Sequence, residues 1–178
     1  MHSGRAHQAV RAVRLSEWRG IMKIVAYGSL MNRASLESIV RRPAPLSRID
    51  ISGWKRIFNA PFPDAAYLNL APAADSLIEA AYFELDAAEV VRFAKREAGS
   101  ELVKVAPGFQ AFVWPEAKCR ELPVWQSYID VCARAAGELG IDFMLGLDWP
   151  RTVIDDTENP RYDMFWWGQR PEPAGEPE

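Results

Sequence analysis

The stretch IVAYGSLMN, residues 24–32, runs from apolar strand-like sequence into a small, polar, glycine-bearing corner. A glycine at the end of a strand lets the next amides point into one space, and a helix starting nearby adds its own N–H groups. Tyr27-Gly28-Ser29-Leu30 therefore has two readings: an ordinary strand-to-loop turn, or a backbone cradle for a carboxylate, a carbonyl oxygen or an oxyanion. Neither GxxxxGK[ST] nor GxGxxG is present, so the turn is not a nucleotide-phosphate loop of either type.

Working outward, MKIVAYGSL reads as a strand ending at Gly28, and RASLESIVRR as a short helix with Leu36, Ile39 and Val40 on one face. LSRIDISGWKRIFN, interrupted by Gly53, suits one long bent strand or two joined at a bulge. PFPDA is a loop, and AYLNLAPA and LIEAAYFEL read as two strands separated by a turn at Asp75-Ser76. DAAEVVRFAKREAG carries Asp86 as N-cap, Glu89 completing a capping box, and Gly99 at the C-terminal cap. ELVKVAPGFQAFVW predicts a hairpin turning at Pro107-Gly108. PVWQSYIDVCARAAGELG predicts a helix with Pro123 in its first turn, a buried stripe of Trp125, Tyr128, Ile129, Cys132, Ala136 and Leu139, and Gly140 as stop. The segment 141–167 is aromatic and irregular, as a covering segment would be. Hairpins with few long helices favour an α+β fold over a doubly wound parallel sheet.

The 178 residues suit a single domain. A composition 49% hydrophobic and 25% charged is that of a soluble globular chain. A net charge of −3 argues against a nucleic-acid partner, which needs a clustered basic face. No apolar run reaches the length of a membrane span and no secretory signal is visible, so no membrane partner and a cytoplasmic location are expected. Residues 1–21 form a leader with Arg5, Arg11, Arg14 and Arg19 and no acid before Glu17; disorder, or a start at Met22, is expected there. The Pro-, Gly- and Glu-rich residues 169–178 are expected to be a disordered tail, leaving 22–168 as the domain. Cys119 and Cys132 match no metal or disulfide pattern and are expected as reduced thiols.

Both histidines, His2 and His7, lie in the leader. A body without histidine lacks the usual base for a serine or cysteine nucleophile and the commonest transition-metal ligand. Catalysis then falls to a carboxylate, Lys, Tyr or Cys, most simply to a carboxylate of raised pKa. Glu97 fits: Val90, Phe93, Ala94 and Glu97 fall at i, i+3, i+4 and i+7, placing an acid on the apolar stripe while Lys95 and Arg96 lie elsewhere on the wheel. Such an acid either bends out to water or an arginine, or stands partly desolvated as a general base and acid. Tyr67, Tyr82, Tyr128 and Tyr162 could point hydroxyls into a pocket but are expected chiefly as packing residues, and Trp114, Trp125 and Trp149 as core.

Taken in order, IVAYGSLM, GWKRIFN, YLNLAPAADSLIEAAYFEL and a helix ending in REAG resemble the gamma-glutamylcyclotransferase-like family over roughly 22–140. The specific part is YGSL followed some 70 residues later by an acid. The resemblance implies a small mixed, mostly antiparallel β-barrel with flanking helices. It implies that the backbone of Tyr27, Gly28, Ser29 and Leu30 holds a gamma-glutamyl group and that Glu97 is the catalytic acid/base. The implied reaction closes a gamma-glutamyl amine or peptide to 5-oxoproline and releases the amine, with no metal or organic cofactor and a small-molecule substrate as the partner. Many relatives carry a Tyr shortly after the acid, where this chain reads SELVKV over 100–105. Two alternatives follow: a non-catalytic binding protein using the same pocket, and a biosynthetic tailoring enzyme that removes a gamma-glutamyl protecting group. Oligomeric state and leaving amine are not legible in the sequence.

Overall fold

The computed structural model describes residues 20–162. The expectations for residues 1–19, for the tail and for the last part of the domain, 163–168, lie outside the described residues. The chain runs β1 (Met22–Ala26), a 3-10 turn (Ser29–Met31), α1 (Arg33–Val40), β2 (Ser47–Phe62), β3 (Ala65–Leu85) and α2 (Ala87–Arg96). It continues through β4 (Glu101–Ala106), β5 (Phe109–Val113), β6 (Val124–Trp125), α3 (Gln126–Glu138), β7 (Leu147–Asp148) and β8 (Val153–Ile154).

Six strands form one mixed sheet in the order β4-β5-β1-β3-β2-β7, and β6 and β8 form a small parallel pair. The long pairings β1–β3, β2–β3 and β4–β5 are antiparallel, whereas β1–β5 and β2–β7 are parallel. The α+β class is as expected; the closed barrel is not. The sheet is a curled half-barrel whose order ends at β4 and β7. Closure requires full-length strands of matched stagger along the seam, and β7 contributes only two residues, at Arg56↔Leu147 and Ile57↔Asp148.

The curl has a local origin. Gly53 takes φ +83 and the β2–β3 register shifts between Ser52 and Trp54, as the bulge reading anticipated. Opposite this bulge β3 stays continuous through Asp75-Ser76, where the sequence suggested a turn. Pairing resumes at Ser52↔Leu77 after Trp54↔Pro72, so residues 73–76, Ala-Ala-Asp-Ser, sit on a bend rather than ending a strand. Tertiary pairing overrides local turn preference here.

One apolar cluster is built from strands alone, including Val25, Ile51, Trp54, Leu70, Ile78, Val103 and Val113. A sheet can bury such a face without helices only by curling over itself. The other cluster joins β1 and β3 to the helices through Ile24, Leu36, Phe83, Phe93, Phe112 and Ile129.

α2 has the full reciprocal capping box, with the Glu89 amide donating to Asp86 Oδ1 at 2.8 Å and the Asp86 amide to Glu89 Oε2 at 3.0 Å. α3 begins at Gln126 rather than near Pro123, because Val124–Trp125 are drawn into the parallel pair with Val153–Ile154. Trp125 is buried, but Trp149, expected in the core, is 52% exposed. Among the described residues no helix is long and apolar enough to cross a membrane.

Candidate functional site

β1 leaves the sheet after Ala26, its last residue in register with β3, opposite Ala81. Met31 then donates its amide to the Gly28 carbonyl at 2.9 Å and Asn32 to the Ser29 carbonyl at 3.0 Å, which folds 29–31 into a 3-10 turn. The amides of Gly28, Ser29 and Leu30 stand at its start, ahead of Met31, the first whose amide bonds within it. Asn32 then caps α1, its Oδ1 accepting from the Ser35 amide at 2.9 Å. Gly28 is demanded by close approach: a Cβ there would stand 3.3 Å from Tyr128 Oη and 3.5 Å from Leu68 Cβ.

A cavity of about 160 Å³ opens at this turn. Tyr27 through Leu30 form one wall, Ala60–Phe62 with Tyr67 and Leu68 a second, Arg96–Ala98 a third, and Phe112, Trp114, Tyr128 and Tyr162 complete it. The structure thus brings together all five residues singled out in the sequence: Tyr27, Gly28, Ser29, Leu30 and Glu97.

Glu97 is not within α2 but caps it, its amide donating to the Phe93 carbonyl at 3.0 Å. The backbone turns away here, and Gly99 (φ +106) lets it do so. Gly99 is also pressed against Trp114: a Cβ would meet Trp114 Cη2 at 2.4 Å. Trp114 is itself fixed by buried Asn69, whose Oδ1 accepts from the Trp114 amide at 2.9 Å and whose Nδ2 donates to the Trp114 carbonyl at 3.0 Å. A chain of contacts from β3 through Trp114 to Gly99 sets where the acid stands.

The Glu97 side chain is 20% exposed and ion-paired to Arg96 Nη1. Burial raises its carboxyl pKa, and the Arg96 charge and hydrogen bond offset only part of that rise. Arg96 corrects the helical-wheel expectation: it lies on the cavity, not on the solvent face. The wheel placed it outward because it treats the last helical residue as though the helix continued.

Of the four tyrosines, Tyr67, Tyr128 and Tyr162 line the cavity, while Tyr82 packs edge-on against Phe109 elsewhere. Tyr67 stacks on Tyr128 at 4.4 Å, and Tyr162 meets both edge-on at 5.6 and 4.9 Å. Burial pushes the Tyr162 hydroxyl up to about 12, with hydrogen bonding to the Ser29 side chain offsetting part of the rise. Tyr27 reaches across β5, its hydroxyl donating to the Phe112 carbonyl at 2.6 Å, and burial raises its pKa, with Glu97 adding to the rise. All these phenols stay protonated near neutrality. The sequence offered Tyr162 with the other tyrosines but could not separate it from a packing residue, because only the irregular C-terminal segment brings it back. Among the described residues no cluster of three or more His, Cys, Asp or Glu side chains is placed to hold a metal ion.

No protein-family profile and no curated protein matches the chain. Solved structures do. A gamma-glutamyl cyclotransferase superposes with a TM-score of 0.56 at 12% identity, covering 79% of this chain and 97% of that one. An uncharacterized protein from Homo sapiens gives 0.55 at 11%, covering 78% and 96%. YkqA from Bacillus subtilis gives 0.53 at 15%, with 70% of this chain spanning about half (51%) of that protein. At such identities the likeness is one of fold, and this chain has the gamma-glutamyl cyclotransferase-like fold.

Proposed function

We propose that the protein is a gamma-glutamyl cyclotransferase-type enzyme that closes a small gamma-glutamyl amide to 5-oxoproline and releases the amine, acting in the cytoplasm. The observation that carries this reading is a single cavity lined by both a desolvated carboxyl, Glu97, and the turn of residues 27–30. The name of the fold neighbour is consistent with it.

In this reading Glu97 takes a proton from the substrate's α-ammonium group. The freed amine attacks its own gamma-carbonyl carbon, closing a five-membered ring, and the carbonyl oxygen gathers negative charge beside the amides of Gly28, Ser29 and Leu30. As the ring carbonyl re-forms, the bond to the leaving nitrogen breaks and that nitrogen takes the proton from Glu97. The ring nitrogen still carries a second ammonium proton, which it gives up, through Glu97 or solvent, to the freed amine; the products are a neutral lactam and an ammonium ion, and no co-reactant is needed. Because nucleophile and electrophile belong to one molecule, the protein's main task is to hold a near-attack geometry, an effect worth about 7–11 kcal/mol in favourable cases. Oxyanion donors add about 2.7–4 kcal/mol for each good one.

The test is Glu97→Gln against a panel of gamma-glutamyl amines, dipeptides and glutathione. Release of 5-oxoproline is expected to fall by about 10²–10⁴-fold with the fold retained, the range for a positioned acid/base. Equal release by both proteins would refute the mechanism. A second reading, a binding protein using the same cavity, draws on the Arg96–Glu97 ion pair, which engages the proposed base; binding of the panel without release by the wild type would favour it.

A further inference from the structure

We propose that Arg56 is a positioning residue for cyclisation: from behind the turn it orients and polarises the Tyr27–Gly28 peptide, strengthening the Gly28 N–H as an oxyanion donor; this rests on the reading above. Arg56 does not line the cavity, so it acts through that peptide and not on the substrate. Its Nε donates to the Tyr27 carbonyl oxygen at 2.9 Å. No peptide bond among the described residues is cis, and in a trans unit the N–H points opposite to the C=O of the same plane. With the Tyr27 carbonyl held toward Arg56, the Gly28 N–H faces away from it, and Gly28 itself borders the cavity. Among the described residues no main-chain acceptor takes that amide.

Two features suit the guanidinium to this part in addition to the carbonyls it satisfies. It is fully buried, yet among the described residues no carboxylate forms an ion pair with it. Glu79 gives it only a main-chain carbonyl; the Glu79 carboxylate is engaged by Arg48 Nη2 and by the Asp142 amide, each at 2.9 Å. A charge in the interior without a counter-ion is costly, and a developing oxyanion supplies one at the remove of a single peptide. The cation is also fixed in place. Nη1 donates to the carbonyls of Leu145 and Phe143, the Phe143 ring lies 5.5 Å from the guanidinium carbon, and the Arg56 amide donates to the Gly146 carbonyl at 2.7 Å. A dipole aimed in advance needs no reorganisation when charge appears.

A hydrogen bond accepted by an amide carbonyl draws electron density from the nitrogen of the same unit, so the N–H becomes a better donor. Such strengthening runs to about 10–30% per bond, and a charged donor gives more than a neutral one. In the proposed reaction the gamma-carbonyl oxygen is neutral in the bound substrate and negative in the tetrahedral intermediate. The gain is realised as that charge develops, which raises kcat and leaves ground-state binding largely unchanged. No bond to Arg56 forms or breaks, and its protons stay in place.

The test compares Arg56→Gln and Arg56→Lys with wild type in the full chain, on whichever member of the panel above the wild type turns over fastest. Arg56→Gln should lower kcat by about tenfold or more with KM close to wild type, short of the about 10²–10³-fold for losing a donor outright. Arg56→Lys keeps the charge and should recover part of that loss, whereas loosened packing that misplaces the substrate would raise KM instead. A second measurement does not depend on the variants folding. Tyr27–Gly28 is the only Tyr–Gly pair in the sequence, so wild type labelled with carbonyl-13C tyrosine and 15N glycine gives a single resonance for this peptide. Its 13C and 15N shifts should both lie downfield of ordinary Tyr–Gly peptides. Ordinary shifts, an unchanged kcat in a folded Arg56→Gln, a loss borne by KM alone, or Arg56→Lys no better than Arg56→Gln would overturn the proposal. If wild type released no 5-oxoproline, the cyclotransferase reading would fall, and the peptide shifts would still decide whether Arg56 polarises this donor.

Discussion

The guanidinium of Arg56 donates from Nε to the carbonyl oxygen of Tyr27 at 2.9 Å, tying the middle of β2 to the point where β1 leaves the sheet. The same side chain is fully buried and also donates to the carbonyls of Glu79, Leu145 (3.2 Å) and Phe143 (3.4 Å). Burial lowers its pKa to about 10, so it stays charged at neutral pH. Its role is to satisfy backbone acceptors where three segments converge, since a buried carbonyl without a donor costs about 1–3 kcal/mol. Arg56→Met is expected to destabilise the fold by on the order of 3 kcal/mol or more, and Arg56→Lys by less. Denaturant midpoints check this; a shift below about 1 kcal/mol would show that the carbonyls find other partners.

The crowding at Gly28 leads to a coupled pair of variants. Gly28→Ala sets a methyl 3.3 Å from Tyr128 Oη, so either the turn or the tyrosine must move. Tyr128→Phe removes that oxygen but also the acceptor of the Leu68 amide at 3.2 Å, a loss of about 0.5–1.5 kcal/mol. The double variant should be more stable than the sum of the singles predicts. Strict additivity in a double-mutant cycle would show that the methyl is accommodated elsewhere.

Asp156 caps α3 from far along the chain. Its Oδ1 accepts from the Ser127 amide at 2.8 Å, and its Oδ2 accepts from the Ser127 hydroxyl at 2.6 Å and the Arg161 amide at 2.8 Å. Ser127 Oγ in turn accepts from the Tyr162 amide at 3.1 Å. Asp156→Ala should cost about 1–3 kcal/mol, a lost cap plus stranded buried donors, and should loosen Tyr162 in the cavity wall. Burial alone would raise the Asp156 pKa, but the hydrogen bonds from Ser127 and Arg161 lower it overall. Its stabilising contribution is therefore present above the unfolded-state aspartate pKa and fades as pH falls through the lower folded value. Wild type and Asp156→Ala should converge in stability at acid pH.

Glu97 has the opposite sign. Its carboxyl pKa is raised in the folded chain, so the folded state holds the proton more tightly than the unfolded one. Stability from this group is complete below the ordinary glutamate range and is lost as pH rises through the folded value. Glu97→Gln, neutral at every pH, should melt higher than wild type at pH 7, with the gain vanishing in acid. The acidic limb of kcat/KM should correspondingly lie above the pKa of an exposed glutamate. A variant less stable than wild type at pH 7 would place the Arg96 pairing above burial as the dominant effect.

What the sequence disclosed and what it withheld divide along range of interaction. The Asp86–Glu89 capping box, the Gly53 bulge and the turn at Gly108 (φ +82) are written in adjacent residues and were legible. So was the odd placement of Glu97, because helical spacing is local. Arg56 was missed although strand alternation signals it: Trp54, Arg56 and Phe58 occupy successive buried positions of β2. Arg96 was misplaced because the helix ends at it. The continuity of β3, the cap from Asp156 and the return of Tyr162 depend on partners distant in sequence, which no local pattern records.

Tyr162 stands 135 positions after Tyr27 in the chain, yet both form walls of one cavity. During synthesis the sheet, the turn at Gly28 and the acid at Glu97 all emerge while that wall is still missing. Tyr162 is therefore the last of the described lining residues to be synthesised. A chain ending before Asp156 would carry the turn, the acid and most of the aromatic lining, yet lack Tyr162 and the Asp156–Ser127 contact that holds it.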